Sequence, residues 1–249
     1  AIENSWEKGR DRLGRGDVLV IDEAGMVGSR QLGRVMSHAQ EAGAKVVLVG
    51  DTEQLQAIEA GSPMRRIGQE VGSVSIDEIR RQREGWQRRA TVDFATERTA
   101  EGLRAYEDRG MVHRHGSQRE AMDAMVSAWD EHRRERPRDT QIMLAYRRDD
   151  VRALNERARS IRREAGELGR GEILVETERG PREFSAGDRV YFMRNDRSLG
   201  VKNGTLGTVE QIGDRSMVVR LDGVSQRATV DLEAYRHLDH GYAATVHKS

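Results

Sequence analysis

Apolar positions near the amino end fall into two unbroken runs flanking a helically spaced stretch. Asp17-Val18-Leu19-Val20-Ile21-Asp22 is continuous and ends in acid, the pattern of a strand buried on both faces of a parallel sheet. Ser29 to Ala42 then repeats apolar residues at Leu32, Val35, Met36 and Ala39, and Gly43 stands where a helix C-cap belongs. Lys45 to Val49 is the second run, closed by Gly50-Asp51. Strand, helix and strand with short links predict a right-handed βαβ unit, whose ligand side is the carboxyl end of its strands. Both acidic ends fall there.

A helical pattern runs from Glu84 to Arg109, with Trp86, Ala90, Phe94, Leu103 and Tyr106 as expected core contacts. Another covers about Gln118 to Arg134, carrying Ala121, Met122, Met125, Val126 and Trp129. Ile142 to Tyr146 reads as a short strand and Val151 to Ala165 as a helix, which makes a second α/β layer. After Gly166 the period changes. Short alternating runs at Glu172–Val175, Arg189–Met193, Gly207–Ile212, Met217–Leu221 and Arg227–Val230 are separated by turn signals at Arg179-Gly180-Pro181, Asn203-Gly204, Gly213-Asp214 and Asp222-Gly223. Strands of this length and spacing predict a small antiparallel barrel. Val190, Phe192, Val209, Ile212, Val218 and Leu221 are expected on its inner face, and Asn203-Gly204 as a turn with positive φ at both positions. The barrel interrupts the second layer, to which Gly241–Ser249 returns.

Composition narrows the partners. The 249 residues carry 42 basic and 42 acidic side chains, so there is no global electrostatic footprint for nucleic acid and any DNA contact must come from a local patch. Only Lys8, Lys45, Lys202 and Lys248 are lysines, a bias that fits a GC-rich genome or selection for phosphate contacts. Cysteine is absent, which excludes disulfides and thiolate metal sites. No run approaches the ~20 apolar residues of a membrane span, and a cytoplasmic protein is expected.

Candidate chemistry sits at the strand ends. Asp22-Glu23 has the shape of a Walker B pair, one carboxylate for a magnesium shell and one for the attacking water, although an acidic pair at a strand end also occurs as a cap. Gly50-Asp51-Thr52-Glu53-Gln54-Leu55 brings a second acid and an amide to the same edge; an ordinary turn capped by Asp51 is the other reading. Ile79-Arg80-Arg81-Gln82-Arg83 is the most basic short stretch, and Arg83, Arg88 and Arg89 read as a solvated face. Arg189, Arg194, Arg197 and Lys202 gather near one end of the barrel, opposite Glu210 and Asp214, either as a grip for single-stranded DNA or as ordinary surface charge.

The order of these segments carries a resemblance. Val18–Met26 resembles helicase motif II, Leu48–Gln56 motif III, Glu78–Gln82 motif IV and Gly241–Ser249 the start of motif V. Together, with Gly187-Asp188-Arg189-Val190 and Gly200–Thr208 in support, they resemble the RecD-like branch of superfamily 1. More narrowly, the sequence is similar to the helicase half of TraA-type conjugative relaxases. The implied fold is α/β: incomplete RecA-like P-loop NTPase motor layers with an inserted small SH3-like β-barrel. The first motor domain would occupy 1–83, the second 84–169 and 234–249, and the barrel 170–233. ATP and Mg²⁺ would be the cofactors, with Asp22 on the metal through water, Glu23 as general base, Asp51 and Gln54 at the nucleotide, and Arg81 on the γ-phosphate charge. Thr245, His247 and Lys248 would line the path of single-stranded DNA. A relaxase domain in the same chain and the conjugation machinery are the implied partners.

One departure matters. No G-x-x-x-x-G-K-[ST] occurs in the sequence, so nothing in it supplies the lysine and amides that cradle β- and γ-phosphates. The chain therefore reads as a piece of a longer motor, inactive by itself. A RecD-like repair or recombination helicase shares the same motor chemistry. A non-catalytic DNA- or protein-binding scaffold would have no reason to keep Asp22-Glu23, Gln54 and Arg81 together.

Overall fold

Residues 2–51, 63–76 and 78–246 are described by a computed structural model, which divides into two compact units, 1–112 and 113–249. In the first unit, α1 (Ile2–Glu7) precedes β1 (Val18–Ile21), a single 3-10 turn at Ala24–Met26, α2 (Ser29–Ala42) and β2 (Lys45–Leu48). The strands pair in parallel, Val18 opposite Lys45 through Ile21 opposite Leu48. The expected βαβ unit is present. Gly43 ends α2 in the left-handed region (φ 66°), where its N–H reaches the carbonyls of Ala39 and Gln40. Leu32 and Val35 are buried on the inner face of α2, each stabilising by roughly 1.5–3 kcal/mol.

The strand itself departs from expectation. Val18 and Val20 are 54% and 57% exposed, so β1 is covered on one face rather than two. Among the described residues its only hydrogen-bonded neighbour is β2, which leaves the alternate side chains in contact with solvent. An apolar run therefore does not guarantee burial on both sides.

After α3 (Pro63–Val71), the expected single helical pattern over 84–109 resolves into α4 (Gly85–Ala95) and α5 (Thr99–Glu107), broken where Glu97 takes φ 63°. The two helices fold back on each other. Trp86 meets Tyr106 edge-on at 5.0 Å, and the Arg109 guanidinium covers the Trp86 ring at 4.2 Å. A Cβ at Gly102 would lie 2.7 Å from the Phe94 ring, so glycine is required where the helices touch. The turn changes the burial phase, leaving Leu103 and Phe94 47% and 40% exposed instead of in the core. Both helices group with the first unit.

The second unit begins with α6 (Gln118–Glu135), whose cap Ser117 accepts the Glu120 N–H, then β3 (Met143–Ala145) and α7 (Arg148–Glu164). Seven strands follow: β4 (Glu172–Thr177), β5 (Gly180–Ser185), β6 (Arg189–Phe192), β7 (Leu206–Ile212), β8 (Ser216–Leu221), β9 (Arg227–Asp231) and β10 (Leu238–His240). Then β11 (Ala243–Thr245) pairs in parallel with β3. Residues 172–240 thus interrupt a strand–helix–strand unit between its helix and its second strand. They form an antiparallel hairpin, β4–β5, and a five-stranded antiparallel sheet in the order β10-β6-β7-β8-β9.

Several details differ from the sequence expectation. The first expected barrel strand pairs only within the hairpin, and its partner β5 occupies a segment expected to be a turn because Gly180-Pro181 opens it. In β8 the inner face is Met217, Val219 and Leu221, with Val218 turned away, since Val218 and Leu221 have opposite parity. A register shift between Val209 and Gln211 is what brings β7 into step with it. At Asn203-Gly204 only Gly204 has positive φ (92°), and the Thr205 N–H bonds the Lys202 carbonyl at 2.9 Å. That is the type II pattern, set in a long connection rather than in a two-residue hairpin. Val175 and Phe184 of the hairpin share one buried cluster with Val190, Phe192, Val209, Met217 and Val230 of the sheet.

Candidate functional site

The two strand-end loops of the first unit are joined backbone to backbone. The Val49 N–H bonds the Ile21 carbonyl at 2.8 Å, and the Ala24 N–H bonds the Val49 carbonyl at 2.9 Å. A Cβ at Gly50 would stand 3.1 Å from the Ala24 nitrogen and 3.0 Å from the Met64 sulfur of α3. One at Gly25 would stand 3.1 Å from the Asp51 carbonyl oxygen. Glycine at both positions lets Asp22-Glu23 and Gly50-Asp51 share one edge.

Within that edge Asp22 and Glu23 are exposed, and so is Asp51. Glu23 holds a left-handed backbone, φ 53° and ψ 38°, at the entry to the 3-10 turn. The Glu23 N–H donates to Asp22 Oδ1 at 2.9 Å, fixing one carboxylate oxygen against the turn. Among the described residues no group of three or more His, Asp or Glu could hold a metal by itself. Asp22 nonetheless fits a magnesium ion, a hard cation commonly held by one or two carboxylates, waters and substrate phosphates.

Arg81 lies in the same unit, exposed at a bend after α3. Gln54 lies outside the described residues, as do His247 and Lys248. Thr245 ends β11 opposite Ala145 of β3, half-buried. Of the basic residues expected to gather in the insert, Arg189 is committed elsewhere: it is ion-paired with Asp222 and donates to Thr208 Oγ1 at 2.8 Å. Arg194 is exposed with its Nη1 3.0 Å from His237 Nε2, while Lys202 and Arg197 are exposed on the β6–β7 connection. Glu210, on the acidic side, is paired with Arg227 at 2.6 Å.

Residue-by-residue reading missed a buried polar group in the second unit. Asn155, Arg159, Asp188 and Tyr242 converge there from α7, from the turn before β6 and from the entry to β11. The available signal was an asparagine and an arginine one turn apart within the apolar face of α7.

Residues 2–117 match the AAA domain family. Over 94% of the chain, the fold is similar to that of the crystal structure of Bacteroides Pif1 bound to ssDNA, with a TM-score of 0.54, 17% identity and 62% of that chain covered. The chain is 40% identical, over 99% of its length, to the probable conjugal transfer protein TraA of Sinorhizobium fredii, and it spans 22% of that protein. It is also 25% identical, over 94% of its length, to the ATP-dependent RecD2 DNA helicase of Deinococcus radiodurans, of which it spans 31%. Together these matches support a superfamily 1 helicase region. No helix among the described residues is long and apolar enough to cross a membrane.

Proposed function

We propose that this region is part of an ATP-driven motor that moves on single-stranded DNA during conjugative transfer. The observation that carries the proposal is the meeting of the Asp22-Glu23 and Gly50-Asp51 loops at one strand edge, with Glu23 in a left-handed conformation. Strain of this kind, on the order of 1–3 kcal/mol, clusters at functional sites because the surrounding structure must hold it in place. In this reading Asp22 holds the magnesium shell and Glu23 takes the proton of the attacking water. Asp51 and Gln54 contact the nucleotide, and Arg81 offsets γ-phosphate charge. Magnesium, when bound with ATP, supplies charge neutralisation at the β- and γ-phosphates.

Identity of 40% to TraA against 25% to RecD2 favours conjugation over repair. The domain limits at 83/84, 169/170 and 233/234 belong to the same proposal, as do a cytoplasmic location and a relaxase domain in the same chain. So does the SH3-like character of the insert, which is supported by its five-stranded antiparallel sheet and the core it shares with the β4–β5 hairpin.

The test is Glu23→Gln in a chain that also carries a P-loop. An amide keeps the shape of the carboxylate but cannot accept a proton. Nucleotide affinity should stay within about twofold while turnover falls at least ~10²-fold. Equal loss of binding and turnover would assign Glu23 to the fold instead of the chemistry.

A further inference from the structure

Every buried polar or charged side chain among the described residues lies on α7, on the β4–β5 hairpin and the turn after it, or at Asp239-His240. To one side is the apolar cluster of the insert, which includes Phe184, Val190 and Leu238. To the other is the cluster formed by α6, α7, β3 and β11, which includes Trp129 and Leu154. The seam between two dry cores is polar.

At its centre is Asp188, with no exposed surface. Its carboxylate accepts from Arg159 Nε at 3.1 Å, from the Ser185 N–H at 2.8 Å and from the Tyr242 hydroxyl at 2.7 Å. Arg159 also reaches Glu172 and the Ser185 hydroxyl. One turn earlier on α7, Asn155 Oδ1 accepts the N–H groups of Tyr242 and Ala243 at 3.0 and 2.8 Å, and its Nδ2 donates to the Ala243 carbonyl at 3.2 Å. Burial, then the Asp188 charge, raises the Tyr242 hydroxyl above its ordinary range, so it stays protonated and donates. The chain crosses from β10 to β11 in close contact with β6. The Gly241 N–H bonds the Arg189 carbonyl at 2.9 Å, and a Cβ on Gly241 would lie 2.8 Å from the Val190 carbonyl oxygen.

An apolar seam tolerates sliding, because hydrophobic contact is non-directional. Buried charges with directional hydrogen bonds do not, since any displacement leaves a desolvated group without a partner. We propose that Asp188 is a positioning residue: through Tyr242 and Arg159 it locks β11, and Thr245 at its end, to the inserted sheet, so that movement of the insert is passed to Thr245. The consequence for DNA rests on the motor reading above, in which Thr245 borders the DNA path; the lock itself does not.

Tyr242→Phe tests it in the full-length protein, because that change removes one hydroxyl and keeps the ring in the core. Ser117→Ala, which deletes the α6 cap elsewhere in the unit, is the control for a general loss of stability. Amide exchange at Ala243, Ala244 and Thr245 should rise at least about tenfold in Tyr242→Phe, the scale of one hydrogen bond to a charged group, and stay unchanged in Ser117→Ala. Stimulation of ATP turnover by single-stranded DNA should fall about fivefold or more in Tyr242→Phe alone. Unchanged exchange at those amides, or equal change in both variants, overturns the lock. Faster exchange with full DNA stimulation overturns the transmission of movement. A wild-type protein without DNA-stimulated turnover would defeat the motor reading, and the exchange comparison would still decide the lock.

Discussion

Glu23 and Arg81 show how unevenly single residues announce themselves. The acid pair at Asp22-Glu23 is visible as composition at a strand end, but the left-handed backbone of Glu23 is not, because no local pattern demands it. It depends on the Ala24 N–H being held by the Val49 carbonyl, a contact made only when both strands are paired. Arg81 stands among several arginines of similar exposure, and Arg83 and Arg88 are equally solvated. Position alone separates them. In a chain with its P-loop, Arg81→Ala should lower ATP turnover at least ~10-fold, about 1.4 kcal/mol of transition-state stabilisation, while Arg83→Ala and Arg88→Ala stay within about twofold. Steady-state hydrolysis of the three variants decides it. A uniform loss would make the cluster a general DNA-binding patch.

Elements were legible wherever a period stayed unbroken over the whole segment. Strand β1, helix α2 and strand β2 follow directly from apolar spacing plus a C-cap glycine, and β7 and β9 from alternation. The α4–α5 break was hidden because its turn contains no Gly or Pro: Thr96-Glu97-Arg98 turns through the positive φ of Glu97, stabilised by tertiary contact between Phe94 and Gly102. Strand β5 was hidden for the opposite reason, a Gly-Pro signal that starts a strand here instead of ending one. At the scale of the insert, Arg194 and Lys202 are exposed while Arg189 is neutralised by Asp222. Arg194, Lys202 and the equally exposed Arg197 can therefore offer charge to a DNA backbone, whereas Arg189 cannot. Reversing Arg194 and Lys202 to Glu in the full-length protein should weaken single-strand binding and flatten the slope of log affinity against log salt, by about 0.7 for each phosphate that is no longer neutralised. A salt titration of binding checks this, and an unchanged slope would leave the insert without a DNA role.

At the scale of the whole molecule, the polar seam sets a dependence on pH. His240 is buried against Phe184, and its Nε2 lies 2.8 Å from the Glu183 carbonyl; a carbonyl only accepts, so the ring nitrogen donates. Burial lowers its pKa below the ordinary value of 6.5, outweighing the attraction of Asp188 and Asp239, while Arg159 adds to the lowering. The fold thus favours the neutral ring. Its contribution is complete above about pH 6.5 and is lost as pH falls towards the lowered value, at up to ~1.4 kcal/mol per pH unit. The lowered carboxylates Glu167 and Glu178 act further down, below their ordinary 4.5. Thermal unfolding followed from pH 7.5 to 5 should show falling stability across this window, and His240→Gln, which does not titrate, should flatten it. A wild-type midpoint independent of pH there would count against a neutral buried His240.

The βαβ order of the first unit, the acidic strand ends, the interruption of the second layer and the helicase resemblance were all determined by the sequence itself, since each rests on local spacing or on contiguous motifs. Tertiary structure alone decided which face of β1 is covered, where 84–109 folds back and that Arg189 is neutralised. It also decided that Asn155, Arg159, Asp188 and Tyr242 meet. Asn155 and Tyr242 are 87 positions apart, and pairing at that separation leaves no periodic trace along the chain. Local order is written in the spacing of neighbours, whereas a buried polar network exists only once distant segments have excluded water together.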